Sequence, residues 1–191
     1  MYDAVADPYC YADTTVLINR LGLRDQAALD EFEAEITRAR ADEPLPAGRL
    51  SVTHYRAIHH HLFQDLYRWA GQFRTVRIAK DGSMFCFPEH IGSEMAKLFD
   101  GLRLNRFLQD LDSETFADRA SIFLADLNAI HPFREGNGRA QLAFFVVLAD
   151  GAGHPLALER MSASAFLSAM VESFKGDSGP LRRLIRQLID N

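Results

Sequence analysis

The chain has 191 residues, 48% of them hydrophobic, which is about one domain by length and enough to bury a single sizeable core. Its formal net charge of −5 argues against a broad nucleic-acid-binding face, which would be basic, so any contact with a nucleotide has to be local. The longest apolar run, Leu142 to Ala149, falls far short of the roughly 20 residues that span a bilayer; Met1-Tyr2-Asp3 is no signal peptide, Cys10 and Cys86 make no disulfide framework, and a soluble cytoplasmic protein is expected.

Helical signals dominate, so the expected fold is an all-α single domain, with N-terminal helices within 14–50, a core over 53–150 and C-terminal helices within 162–190. Asp25 to Ala41 is charged and Ala-rich, and Pro44, Pro46 and Gly48 mark the loop from Asp42 to Arg49. Thr53 is placed to cap a helix running to about Arg68. Within it His59, His60 and His61 resemble a metal cluster, but consecutive helical residues point about 100° apart and do not converge on one ion. Packing roles are expected for them, for His54 and for Trp69. From Thr75 to Phe87 the pattern changes: Val76 and Ile78 alternate with polar neighbours, Asp81-Gly82 is a turn dipeptide, and Met84 to Phe87 returns, which predicts a β-hairpin.

Further helices are predicted after Pro88, after Ser113, after Gly138, after Ser162 and after Pro180. Ser113 to Ile130 carries Phe116, Ala120, Phe123, Leu124, Leu127 and Ile130 at helical spacing, and Pro132 disfavours helical geometry at His131. Arg139 to Ala149 is long and apolar again. The nine residues from His131 to Arg139 therefore form a loop between two helices. Gly136, Asn137 and Gly138 lie where the second helix begins, so their backbone N–H groups lack intrahelical acceptors and suit a phosphate. Arg139 adds a cation able to grip a second phosphate oxygen. Glu135 would repel a phosphate unless a hard cation such as Mg²⁺ lies between them. His131 is the one side chain of the loop that accepts a proton near neutral pH. The chemistry this suits is phosphoryl or nucleotidyl transfer.

His131-Pro-Phe-Arg-Glu-Gly-Asn-Gly-Arg139 resembles the signature of the Fic family, HPFx(D/E)GNGRxxR, and Tyr67 to Arg74, with Trp69-Ala70-Gly71, is similar to the stretch that precedes the family's flap. The resemblance covers at least residues 53 to 150. It implies a Fic-type helical bundle with one β-hairpin flap and transfer of AMP from ATP to a Ser, Thr or Tyr hydroxyl of a target protein. In those terms His131 is the base, Glu135 holds Mg²⁺, Gly136, Asn137 and Gly138 form the anion hole, Arg139 binds phosphates and Phe133 anchors the loop. Val76, Ile78, Lys80 and Phe85 fall on the flap, which would pair edge-on with the target.

One position departs from the signature. The second arginine, which in the family holds the terminal phosphate of ATP, is Leu142 here. Loss of a charge-assisted hydrogen bond of roughly 1.5–3 kcal/mol weakens donor binding by about ten- to a hundredfold. Arg134, Arg160, Arg182 and Arg183 are candidate substitutes. Gly136, where the phosphorylating Doc-like relatives differ, is kept, which favours AMP transfer over phosphoryl transfer. The family's inhibitory motif (S/T)xxxE(G/N) is approached at Ser168 to Glu172, but Ser173 follows, so a separate small antitoxin is the expected silencer. Family toxins often modify type II topoisomerases, which makes a subunit of such an enzyme the implied target. Another phosphate-containing donor, a kinase, and a nucleotide-binding module without catalysis are the alternatives that Leu142 leaves open.

Overall fold

The computed structural model describes residues 7–80 and 83–189; of Lys80 and Ser83 it describes the backbone. The elements are α1 (Gln26–Ala41), α2 (Val52–Phe63), a hairpin of β1 (Ala79–Lys80) and β2 (Ser83–Met84), α3 (Pro88–Leu104), α4 (Ser113–Ile130), α5 (Asn137–Gly151), α6 (Ala163–Phe174) and α7 (Gly179–Leu188). The protein is an all-α bundle. Among the described residues no helix is long and apolar enough to cross a membrane.

Side-chain caps fix where several helices begin. Asp25 accepts the Ala28 N–H at 2.9 Å, and Asp112 accepts those of Glu114 and Thr115, both at 3.0 Å, satisfying donors a helix start leaves over. Ser51, two residues before the expected cap Thr53, accepts the His54 N–H at 3.3 Å and starts α2. That helix also stops early, at Phe63 and not near Arg68. Beyond it the N–H groups of Leu66 and Tyr67 share the Phe63 carbonyl, and the Leu66 carbonyl accepts the Arg20 N–H at 2.7 Å. In the span 14–50 α1 is the one helix: Leu17 pairs with Cys10 in a β-bridge, and the buried Asn19 amide holds the carbonyls of Leu17 and Leu23, so this stretch is extended and looped.

α4 is the central helix, packed against α3, α5, α6 and α7, while α2 joins α5 to α1. Aromatic rings fill the space between them. Tyr55, Phe99, Phe133 and Phe144 form one cluster with ring centroids 5.3–5.9 Å apart, and each of the three phenylalanines contributes roughly 1.5–3 kcal/mol by burial.

The hairpin is shorter than its sequence pattern. Ala79 pairs with Met84 and Lys80 with Ser83, and one further bond runs from Phe85 N–H to the Ile78 carbonyl at 3.3 Å. The predicted turn dipeptide Asp81-Gly82 lies outside the described residues. Below the hairpin its two arms part and attach to the body of the protein: Arg74 N–H donates to the Pro132 carbonyl at 2.9 Å and Cys86 N–H to the Ala129 carbonyl at 3.1 Å. A two-stranded hairpin is only marginally stable alone, and these attachments hold it above the end of α4.

Candidate active site

α4 ends at Ile130, and His131 follows in the left-handed region at φ 47°, ψ 63°. A non-glycine residue there costs roughly 1–2 kcal/mol, so its surroundings must impose the conformation. Pro132 bars the ordinary helical alternative. Arg74 donates to the His131 carbonyl at 2.8 Å, and the His131 N–H closes the helix onto Leu127 at 3.1 Å. Nδ1 of the ring lies 3.2 Å from the Asn128 carbonyl. A carbonyl only accepts, so Nδ1 donates, which leaves Nε2 as the ring nitrogen able to take a proton. The Phe85 ring, from the second arm of the hairpin, stacks on the imidazole with centroids 3.9 Å apart.

The loop after His131 is held from inside. Phe133 is fully buried and stacks on His59 at 3.7 Å. Asn137 spends its side chain on the loop as well, accepting the Phe133 N–H at 2.9 Å and donating to the Phe133 carbonyl at 2.8 Å. His59, fully buried on α2, accepts the Gly71 N–H at Nδ1 (2.9 Å) and therefore donates from Nε2 to the Glu135 carbonyl (3.0 Å). Burial pushes its pKa down to about 3, against the opposing pull of the Glu135 hydrogen bond. The neighbouring histidines diverge as helical geometry requires, His60 to the Ala70 carbonyl at 3.0 Å and His61 to that of Arg40 at 2.8 Å.

Gly136 has φ 78°, and a Cβ built there would lie 2.1 Å from the Phe63 ring. Conformation and space both demand glycine, and the crowding comes from the protein itself. Glu135 Oε1 accepts the Gly136 N–H at 2.8 Å, so an anionic oxygen already sits on the N-terminus of α5. Arg139, one turn into α5, is gripped from α1: it donates to Glu33 and, at 3.1 Å, to Thr37 Oγ1, with Glu135 3.6 Å away and the Phe63 ring beneath it at 4.7 Å. Glu33 also accepts the Tyr67 hydroxyl, and proximity to this carboxylate adds to the burial that holds the phenol above its ordinary range.

These groups face one cleft of about 820 Å³, lined by His131, Glu135, Gly136, Asn137, Gly138 and Arg139 and roofed by Ile78, Ala79 and Phe85. Val76 does not line it; the Arg74 guanidinium holds its carbonyl at 2.7 Å, which turns that residue into part of the stem. The Lys80 side chain lies outside the described residues. Leu142 lines the cleft, as do Met161, Phe166, Leu167 and Met170, and together they give it an apolar wall. Of the arginines considered as substitutes for the absent cation, Arg134 reaches the cleft but pairs with Asp7 at 2.8 Å, while Arg160, Arg182 and Arg183 do not line it. A further cation among the described residues of the cleft is Arg77, which lies over the Phe87 ring at 4.3 Å.

Glu33, His59 and Asn128 belong to this site, and sequence reasoning gave none of them a role in it. Glu33 sits among other acidic residues of α1, His59 within a run of three histidines and Asn128 alone on α4, and only the packing of these helices around the loop selects them.

Residues 49–149 match the Fic/DOC family. The chain belongs to that family. A relative named probable protein adenylyltransferase from Sinorhizobium fredii is 50% identical over 98% of this chain and 98% of its own. The protein adenylyltransferase VbhT of Bartonella schoenbuchensis is 36% identical over 97% of this chain and 40% of its own. Among solved structures, the BepC protein of Bartonella tribocorum with bound AMPPNP superposes with a TM-score of 0.84 at 26% identity, covering 95% of this chain and 96% of that one. The N-terminal Fic domain of a Bartonella quintana protein with bound ADP does so at 0.83 and 28%, covering 95% and 94%. In this Fic protein the signature is intact from His131 to Arg139, and the departure at Leu142 opens onto an apolar wall.

Proposed function

We propose that this Fic protein is a protein adenylyltransferase, moving AMP from ATP to a Ser, Thr or Tyr hydroxyl of a target protein. The observation that carries this reading is the placement of one base and one anion-binding helix end in a single cleft: His131 faces the N-terminus of α5 across the loop that joins them.

In this reaction His131 Nε2 takes the proton of the target hydroxyl as its oxygen attacks the α-phosphorus. The bond from that phosphorus to the β-phosphate oxygen breaks, and pyrophosphate leaves with the electron pair. The backbone N–H groups at Asn137 and Gly138, with Arg139, stabilise the charge on the phosphate oxygens, and the Gly136 N–H, which Glu135 Oε1 accepts in this structure, adds a third donor once the phosphate displaces that carboxylate. Glu135 suits Mg²⁺: one half-exposed carboxylate in the cleft, beside the place of the phosphates, is the donor set this cation takes with a nucleotide. Bound there, Mg²⁺ supplies charge neutralisation between carboxylate and phosphates. The hairpin arm of Ile78 to Lys80 offers an extended segment of the target a partner, and the ring of Phe85 keeps the base oriented.

Leu142 supports a second reading, in which the donor ends in something other than a terminal phosphate or the product is phosphorylated. For regulation, a small antitoxin in trans is the proposed silencer. A type II topoisomerase subunit is the proposed target, and the cytoplasm the proposed location.

Incubation of the protein with ATP labelled on the α-phosphate, Mg²⁺ and bacterial lysate, beside a His131→Ala control, tests the reaction. A band labelled by the wild type alone is expected. Label arriving from the γ-phosphate instead would select phosphoryl transfer, and label from neither would point to another donor, a target missing from the lysate or a binding role.

A further inference from the structure

We propose that Arg74 is a positioning residue, which fastens the stem of the hairpin to the backbone around His131 and so couples target docking to placement of the base. This rests on the transferase reading above.

Arg74 is 2% exposed, yet the hydrogen bonds of its guanidinium go to carbonyl oxygens. Nε donates to His131 (2.8 Å), one terminal nitrogen to Val76 (2.7 Å), and the other to Cys86 (2.6 Å) and Ile130 (3.2 Å). Its backbone N–H takes the Pro132 carbonyl at 2.9 Å. Three successive carbonyls, from 130 to 132, thus end on one residue. A buried cation is costly without compensation. Here the compensation is the C-terminus of α4, whose last carbonyls carry the negative end of the helix dipole. The guanidinium's fork of five N–H groups is what allows one side chain to serve both arms of the stem and both sides of His131. A lysine, with one nitrogen, cannot span that set.

The arrangement reaches the imidazole twice. Through the His131 carbonyl it holds the left-handed backbone, and through Val76 and Cys86 it holds the arms that carry Phe85 onto the ring. Displacement of the hairpin therefore has a direct route to the base.

Hydrogen exchange on the unaltered protein is the first test, and it needs no variant. The amides of Arg74, Phe85, Cys86 and His131 are expected to open together as one unit, separately from the interior of α4. Independent opening of these four would overturn the coupling. In Arg74→Lys, exchange at those amides is expected to rise about tenfold or more while α4 around Leu124 is unchanged. AMP labelling should then fall by about tenfold or more in kcat with the KM for ATP within about twofold of wild type. Unchanged exchange and kcat would overturn the proposal, and so would a uniform rise in exchange across the core with kcat and melting temperature falling together. If the unaltered protein transfers no AMP, the transferase reading fails, and exchange still decides whether Arg74 couples stem and loop.

Discussion

Glu33 of α1 holds Arg139 of α5, a contact that crosses 106 residues of sequence and places a carboxylate behind a cation that lines the cleft. The Glu33 side chain is 13% exposed and Arg139 38%, so the pair is shielded on one side and open to the cleft on the other. Glu33→Gln should lower stability by about 1–2 kcal/mol, or roughly 3–6 °C in melting temperature. It should also tighten ATP binding a few-fold, because Arg139 is no longer partly neutralised. Thermal melts with and without ATP and Mg²⁺ measure both. An unchanged melting temperature, or weaker ATP binding, would mean that Glu33 does not restrain this cation.

Leu142→Arg restores a cation to the apolar wall of the cleft. ATP affinity is expected to rise by about ten- to a hundredfold, with little change for AMP, since only the longer nucleotide reaches that position. Titration calorimetry with the two nucleotides compares them directly. Equal gains for both would show a general electrostatic effect and count against a terminal-phosphate contact.

His59 makes stability depend on pH. In the unfolded chain it titrates near 6.5 and in the fold at about 3, so the unfolded state binds more protons over that interval. Its contribution is fully present above about pH 6.5 and is lost as pH falls towards 3, at up to about 1.4 kcal/mol per pH unit. Denaturant unfolding between pH 7 and 4 should show a slope that His59→Gln reduces. An identical slope in the variant would place the acid sensitivity elsewhere.

Phe85→Ala removes the ring stacked on His131. Such a contact contributes roughly 0.5–1.5 kcal/mol, so kcat for AMP transfer should fall about two- to tenfold with ATP affinity unchanged. Phe85→Tyr should retain most of the activity. Loss of ATP binding in the alanine variant would show that the ring serves the nucleotide and not the base.

The helical class, the position of α4, the loop from His131 to Arg139 and the presence of a hairpin were all legible because each is a local pattern: helical spacing, a proline after His131, a glycine-rich helix start, alternation around Val76 and Ile78. The ends of α2 were not. Ser51 and Thr53 are equally good caps, and Leu66 leaves the helix to serve Arg20, a partner remote in sequence. Glu33 and Arg74 were hidden for the same reason. Nothing separates Glu33 from the other acidic residues of α1 until Arg139 is brought against it, and the partners of Arg74 are carbonyls, which every residue possesses. Arg160, Arg182 and Arg183 looked available as cations for the donor, but Arg182 and Arg183 lie on α7, and none of the three lines the cleft.

The Phe63 ring occupies the space where residue 136 would carry its first carbon. Position 136 is therefore not open to change on its own. A descendant of this sequence that acquired a side chain there would first have to trim residue 63, and that trimming would also strip the aromatic face from beneath Arg139. Two substitutions, one on α2 and one in the loop before α5, separate this sequence from a differently shaped end of the cleft, so that end does not change one mutation at a time.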